Sequence, residues 1–331
     1  MPGLHDISHI LRAVYNNGSF LIFTHEMPDG DTIGSSLALA GALKQLGKRA
    51  LVVSCDPVPV AYRFLHGADE VKYPSEINQE QHGTYCAILV DCGEPSRVKD
   101  GIRLLDGAAL VINIDHHVSN TMYGDITWVE PDASSVGEMM YTLLTALGAR
   151  ITPELATALF TAIFTDTGSF RYTNTTAHAL LVASRLVEFG ANPNEVSEHV
   201  YETKSISSLR LLARALDNLK VDPSGKVAWL TLTKEDMKAA GASEEESEGL
   251  VSYARMVRGA EVGILFRETE NGSVKVGLRS RKWVDVAALA KEFGGGGHPR
   301  ASGCTIKGEP IDSVVSKVLN RVLQVMESAK G

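Results

Sequence analysis

Four times in the first 166 residues of this 331-residue chain, a short apolar run ends on a carboxylate or an imidazole. The clearest case is VINIDHHVSN, residues 111 to 120, where a mostly β-branched run reads as a buried parallel strand and delivers Asp115, His116 and His117 at its tip. FLIFTHEMPDGD carries Phe20 to Phe23 into His25, Asp29 and Asp31, with Pro28 and Gly30 in a turn that folds the three back on one another. CAILVDCGE takes Ala87 to Val90 into Asp91, and LATALFTAIFTDTGSF is a helical or mixed apolar segment that ends at Asp166 before a turn at Gly168. Ligands of an open α/β sheet lie at the carboxyl ends of its strands, so residues placed this way converge on one site.

Singly, each signal is weak, because an Asp at a strand end also serves as a helix cap or the start of an Asx turn. Together they supply imidazoles and carboxylates with no thiolate set, which suits divalent cations such as Mn²⁺ and argues against a structural zinc. Two such ions about 3.5–4 Å apart share a bridging carboxylate and an acidified bridging water, and clamp the attacking and leaving oxygens of a phosphoester. That chemistry requires no Ser or Cys nucleophile.

The succession HEMPDGD, LVDCGE, IDHH and TDTGSF resembles the four motifs of the DHH phosphoesterase superfamily. FGGGGHPRASG, residues 293 to 303, is similar to the signature of the DHH-associated C-terminal domain. The resemblance covers nearly the whole chain, and length and layout bring it nearest to the bacterial nanoRNase/pAp phosphatase group. It implies two Mn²⁺ ions per active site, one on His25, Asp29 and Asp91 and the other on Asp31, Asp91, His116 and Asp166, with Asp91 as the bridge. It also implies that Asp115 orients His116 and that His117 faces the phosphate. In the C-terminal domain it implies a substrate site of Arg279, Ser280, Gly295, Gly296, Gly297, His298 and Ser302, where Arg279 and His298 hold the phosphate or base. A homodimer is plausible from the family alone.

The remaining sequence is consistent with a two-domain α/β protein. TIGSSLALAGALKQLG reads as a helix that stops at Gly47, RALVVSCD as the next strand, and strands alternate with helices in the manner of a doubly wound parallel sheet. SSVGEMMYTLLTALG and TPELATALFTAIFTD are two further helices, the latter with Thr152 as N-cap and Pro153 in its first turn. In the helix TIGSSLALAGALKQLG, Gly34, Ser35 and Ser36 permit a close approach of phosphate or serve plain helix-on-sheet packing, and Arg97 and Arg171 follow ligand residues in loops where each could contact a phosphate or be an ordinary surface arginine. The expected divisions are a catalytic domain over residues 1–185, a helical connector over 186–221 and a smaller α/β substrate-binding domain over 222–331. The last opens with KVAWLTLT, EVGILFRET and SVKVGLRSR as strands, the latter two joined by a tight turn, and closes with the helix IDSVVSKVLNRVLQVM. Gly294 to Gly297 before His298 suggest a loop whose N–H groups line an anion site, the alternative being a flexible hinge.

A net charge of −8 argues against a protein that grips long duplexes through a broad basic field. A short substrate anchored by metal fits better. Cys55, Cys86, Cys92 and Cys304 lack CxxC spacing and read as reduced core thiols, and the N-terminus shows no targeting or membrane-spanning pattern, so the expected location is the cytoplasm without membrane association. The expected partner is a short single-stranded RNA or nucleotide. A cyclic dinucleotide phosphodiesterase would use the same ligands, whereas a non-catalytic RNA-binding module would have no need of all four motifs.

Overall fold

Side chains of the first strand point alternately to two buried faces, which is the period of an extended chain covered on both sides. The computed structural model describes residues 3–78, 84–247 and 249–328. The chain divides into two compact units at Thr203 and Lys204, inside the stretch expected to act as a connector.

In the first unit, β1 (Ser19–Phe23), β2 (Arg49–Val53), β3 (Cys86–Val90), β4 (Leu110–Asp115) and β5 (Ile126–Val129) form a parallel sheet in the order β2-β1-β3-β4-β5. Phe20, Ile22, Val52, Ile88, Val90, Ile112 and Ile114 join one core with helices α1 (Gly3–Asn16), α2 (Gly30–Gln45), α4 (Val136–Ala146), α5 (Pro153–Asp166) and α6 (Ala177–Glu188). Leu21, Phe23, Val53, Ala87 and Leu89 face a thinner layer that includes Ile77, Tyr85, Val98 and Leu104, the last on α3 (Ile102–Asp106). Both faces are therefore covered, as the sequence predicts for a doubly wound sheet; the short strand β5 is an addition that the apolar pattern does not reveal.

Helices α2 and α5 approach closely. A Cβ on Gly34 would lie 2.3 Å from the Ala158 carbonyl oxygen, and one on Gly30 would lie 2.4 Å from Thr165 Oγ1. Gly30 and Gly34 thus serve packing of helix on helix rather than of helix on sheet, while Ser35 Oγ donates to Asp31 Oδ1 at 3.2 Å. Thr152 caps α5 by accepting from the Leu155 N–H, with Pro153 at its first position.

After α7 (Pro193–Ser197), the second unit contains α8 (Ile206–Asp217) and a six-stranded mixed sheet in the order β10-β11-β9-β8-β7-β6. Its strands are β6 (Lys220–Val221), β7 (Val227–Leu232), β8 (Val262–Glu268), β9 (Val274–Ser280), β10 (Gly296–His298) and β11 (Ala301–Ile306). Pairing of β7 with β8 is parallel, and every other described pair in this sheet is antiparallel. One face packs on α11 (Val286–Glu292) and α12 (Ile311–Ser328) through Ile264, Phe266, Val276, Leu289 and Val318. The other packs on α8, α9 (Lys234–Ala240) and α10 (Val251–Met256) through Leu211, Leu230, Met237 and Ala254.

The four-glycine stretch corrects one expectation, because it is only partly a loop. Gly296–His298 form strand β10, paired with β11. A Cβ on Gly295 would sit 2.1 Å from the Gly303 carbonyl oxygen and one on Gly297 2.7 Å from that of Ala301, while Gly294 has a φ of +74°. Packing and backbone conformation account for these three glycines.

Candidate metal centre

Strand order places a topological switch between β1 and β3, since β2 lies on one side of β1 and the later strands lie on the other side of β3. A crevice opens at such a point beyond the strand ends. His25 follows β1 and Asp91 follows β3, so the two elements that flank the switch carry the first two facing residues. His25 Nε2 is 3.4 Å from Asp91 Oδ2 and 3.7 Å from Asp29 Oδ1. His116, just beyond β4, points its Nε2 at Asp91 Oδ1 (3.6 Å), Asp166 Oδ2 (3.8 Å) and Asp31 Oδ2 (3.9 Å). These separations exceed a hydrogen bond. They resemble the spacing of neighbouring ligands around one cation, whose bonds of about 2.1 Å set at right angles leave ligand atoms about 3 Å apart.

The donor chemistry fits a divalent cation as well. Asp91 is 2% exposed, and its Oδ1 is buried with no hydrogen-bond partner among the described residues. Burial of an ionised, unbonded carboxylate oxygen is costly unless a cation faces it. Three clusters could each hold an ion: His25, Asp29 and Asp91; Asp31, His116 and Asp166; and Asp91, His116 and His117. Asp91 and His116 each belong to two of them.

Neighbouring groups orient these ligands. His25 Nδ1 donates to the Glu26 carbonyl at 2.7 Å, and His116 Nδ1 donates to that of Ala133 at 3.2 Å, which leaves each Nε2 lone pair for a cation. Here the structure departs from the expected pairing: Asp115 Oδ1 accepts from His117 Nδ1 at 2.6 Å, and so orients His117 instead of His116. The reason is geometric. Asp115 is fully buried at the end of β4, with its other oxygen taken by Asn120 Nδ2 at 2.5 Å. Asp29 caps α2 by accepting from the N–H groups of Asp31 and Thr32, so those donors are already engaged. Asp31 in turn receives the N–H groups of Val136 (2.7 Å) and Gly137 (2.9 Å) at the start of α4.

Electrostatics reflect a crowd of carboxylates around imidazoles. Burial alone would lower the pKa of His25, but the close carboxylates of Asp29 and Asp91 outweigh it and raise the value to about 10. His116 is raised to about 9 in the same way, burial being overcome by Asp91, Asp31 and Asp166. Asp166 is pushed up to about 7 by burial and by the charges of Asp91 and Asp29, against the pull of His116. Asp31 also rises, through burial and the nearby Asp91 and Asp166. His117 rises, because Asp115 and Asp91 prevail over burial.

Three asparagines that carry no sequence motif support the site. Asn113, a polar residue inside an apolar strand, donates to the Cys92 carbonyl at 3.0 Å and holds the turn after Asp91. Asn120 links Asn113 Oδ1 to Asp115. Asn174 Nδ2 reaches the Ser134 carbonyl at 2.9 Å and both the carbonyl and Oδ2 of Asp166 at 3.2 Å. Of the two loop arginines, Arg97 places Nη2 3.0 Å from His25 Nδ1, and Arg171 donates Nε to the Gly168 carbonyl.

Within the second unit, Arg279 and Ser280 end β9, and Ala301 pairs with Arg279 across the sheet. Ser280 Oγ donates to the Pro299 carbonyl and Ser302 Oγ to that of Val286 at 2.5 Å, so both hydroxyls tie the glycine hairpin to its surroundings. His298 is exposed at the hairpin tip, and Gly296 is the one glycine of the four where a Cβ would meet nothing within 4 Å without a left-handed backbone. No helix among the described residues is long and apolar enough to cross a membrane.

Two family models match the chain: the DHH family, N-terminal domain, over residues 19–163, and the DHHA1 domain over residues 224–328. A bifunctional oligoribonuclease and PAP phosphatase NrnA of Thermus thermophilus is 38% identical over 323 residues, covering 98% of this chain and 94% of the relative. A protein of the same name from Bacillus subtilis is 28% identical over 302 residues, covering 90% and 93%. The structure is similar to that of an exopolyphosphatase-related protein from Bacteroides fragilis, with a TM-score of 0.91 and 26% identity over 98% of this chain and 97% of the other. By the whole-length match and the two family models together, the chain belongs to the DHH family, with a DHHA1 domain in its second unit.

Proposed function

We propose that this chain is a Mn²⁺-dependent phosphoesterase that removes nucleotides from short single-stranded oligoribonucleotides and dephosphorylates pAp, with two ions in each active site. The observation that carries the reading is Asp91 Oδ1, a buried carboxylate oxygen without a hydrogen bond, facing His116 while Oδ2 of the same group faces His25. The names of the Thermus and Bacillus relatives support the substrate class. His25, Asp29 and Asp91 would hold one ion, and Asp31, Asp91, His116 and Asp166 the other. Bound there, the two cations supply Lewis acidity at phosphoryl oxygens and lower the pKa of water in the site towards about 7. His117 keeps a proton on Nδ1 through Asp115, and its raised pKa favours an imidazolium that stabilises negative charge on the phosphoryl group. Asn174 and the α4 N–H groups fix Asp166 and Asp31, so the carboxylates need little rearrangement when they meet a cation.

The second unit would select the substrate through Arg279, His298 and the backbone of the glycine hairpin, with Ser280, Ser302, Gly295, Gly296 and Gly297 shaping that surface. The same reading carries a cytoplasmic location and a homodimer, the latter checked by light scattering. The test of function is mononucleotide and phosphate release by the purified protein with Mn²⁺, offered pAp, an RNA trimer, an RNA 24-mer and cyclic di-AMP side by side. Fast cleavage of trimer and pAp with a slow 24-mer is expected. Preference for cyclic di-AMP would reassign the substrate, and no hydrolysis of any of the four would leave a binding module.

A further inference from the structure

Of the three tryptophans, Trp128 is buried, Trp229 packs against the core of the second unit, and Trp283 is 43% exposed. The turn that carries Trp283 is rigidly built. Glu261, 6% exposed, accepts with Oε1 from the backbone N–H groups of Lys282 (2.9 Å), Trp283 (2.7 Å) and Val284 (3.2 Å). Arg281 is pinned at both ends, its N–H donating to the Glu261 carbonyl and its Nη2 to that of Arg255. On the far side of the turn, Arg300 of the glycine hairpin donates Nη1 to the Val284 carbonyl at 2.7 Å. The indole therefore stands on a fixed platform that is continuous with the hairpin.

Around it lies a pocket of about 540 Å³ lined by Lys226, Gly259, Glu261, Arg281, Lys282 and Trp283. Lys226, Arg281 and Lys282 are exposed cations, whereas the one lining carboxylate, Glu261, is buried with an oxygen already committed to three N–H groups. In a chain of net charge −8, this is a locally positive cup around a flat aromatic surface. Aromatic rings with flanking cations bind single-stranded nucleic acid by stacking a base and neutralising its phosphate, without regard to sequence.

We infer that the Trp283 pocket is a nucleotide subsite that stacks one base of an oligonucleotide while Lys226, Arg281 and Lys282 hold its phosphate. The inference rests on the proposed function and deepens it: the pocket takes a nucleotide that an oligomer possesses and pAp lacks. It accounts for how one chain handles a chain-like substrate as well as a single bisphosphorylated nucleoside.

The experiment compares full-length native protein with Trp283→Ala, Trp283→Phe and Lys282→Ala. With Mn²⁺, KM for an RNA pentamer should rise about five- to a hundredfold in Trp283→Ala, the loss expected for one base–aromatic stack. KM for pAp should rise by a factor at least about fivefold smaller, and Trp283→Phe, which keeps a ring, should restore the pentamer KM to within about threefold. In EDTA, where turnover is stopped, the pentamer should quench native tryptophan fluorescence, and the quench should vanish in Trp283→Phe. Lys282→Ala should flatten the dependence of log affinity on log salt by about 0.7, the contribution of one phosphate contact on a single strand. Equal KM changes for pentamer and pAp, an unaffected pentamer KM, or quenching by a polyglutamate peptide as strong as by RNA would each overturn the subsite. Should the native protein hydrolyse none of the substrates, the proposed function fails, and the fluorescence titration still decides whether Trp283 stacks a base.

Discussion

Loading the proposed centre with metal should expel at least two protons at pH 7. His25 and His116, raised to about 10 and about 9, are protonated at that pH, and Asp166 at about 7 is half protonated. A cation requires neutral imidazoles and ionised carboxylates. Removing those protons at pH 7 costs about 7 kcal/mol, at about 1.4 kcal/mol for each pH unit between 7 and the group's pKa. The burial of these groups makes the cost real, because His25 and His116 have side chains only 4% and 13% exposed. The signs follow from linkage. With no metal bound, each raised group stabilises the folded state below its unfolded pKa, about 6.5 for His and about 3.9 for Asp, and that stabilisation disappears as pH climbs through the folded value. Metal affinity runs the opposite way, rising with pH until those values are passed, so the Mn²⁺-induced increase in Tm should be larger at pH 8 than at pH 6. Isothermal titration of Mn²⁺ in two non-chelating buffers of different ionisation enthalpy yields the proton number directly. It should fall as pH rises from 7 through the values of His116 and His25, and His25→Gln should lower the pH 7 value by about one. Release of less than one proton at pH 7, or a number that increases with pH, would refute the ligand assignment.

Other substitutions separate chemistry from support. Asp91→Asn should cut turnover on every substrate by more than about a hundredfold, beyond the loss that follows removal of a ligand's supporting partner, as followed by nucleotide release. Asn174→Ala should lower metal affinity or activity about 10- to 100-fold by freeing Asp166, with Mn²⁺ titration as the readout. Gly34→Ala would place a Cβ 2.3 Å from the Ala158 carbonyl and should destabilise the first unit by about 1–3 kcal/mol in urea unfolding. Arg279→Ala should leave Mn²⁺ uptake intact while raising KM for short RNA and pAp; an unchanged KM would remove Arg279 from the substrate site.

What the sequence made legible follows its periodicities. Buried parallel strands show as continuous apolar runs, and the polar residues that break off such runs must lie beyond the strand ends, so the pattern alone places His25, Asp91 and His116. Strand β5 was not legible because it has only four residues, of which Trp128 alone is buried. Nor was the Asp115–His117 pair, since adjacent histidines offer the same carboxylate two partners and only the backbone after β4 decides between them. The glycine hairpin misled for a similar reason. Glycine runs signal freedom in a linear sequence, yet Gly295 and Gly297 are small because the neighbouring strand β11 leaves no room for a Cβ. Asn113 was visible as an anomaly in an apolar strand, but its partner, the Cys92 carbonyl, lies on a different strand's exit turn.

That exit turn explains how one carboxylate faces two histidines from different strands. Asp91 has φ of +58°, a left-handed conformation that costs most residues energy and that Asp and Asn tolerate best. It breaks the extended run of β3, and the carboxylate that follows faces His25 from β1 and His116 from β4. Glycine would take the same backbone with less strain but would bring no oxygen to the centre. The conformation is held by the Asp91 N–H donating to the Ile114 carbonyl at 2.9 Å, and by Asn113 Nδ2 on the Cys92 carbonyl. Since both supports come from β4, the strand that delivers His116 also sets the backbone of the residue shared with His25. Asparagine accepts the left-handed turn as readily as aspartate, so Asp91→Asn should preserve the support and remove only the charge; the loss of turnover in that variant then measures the carboxylate itself.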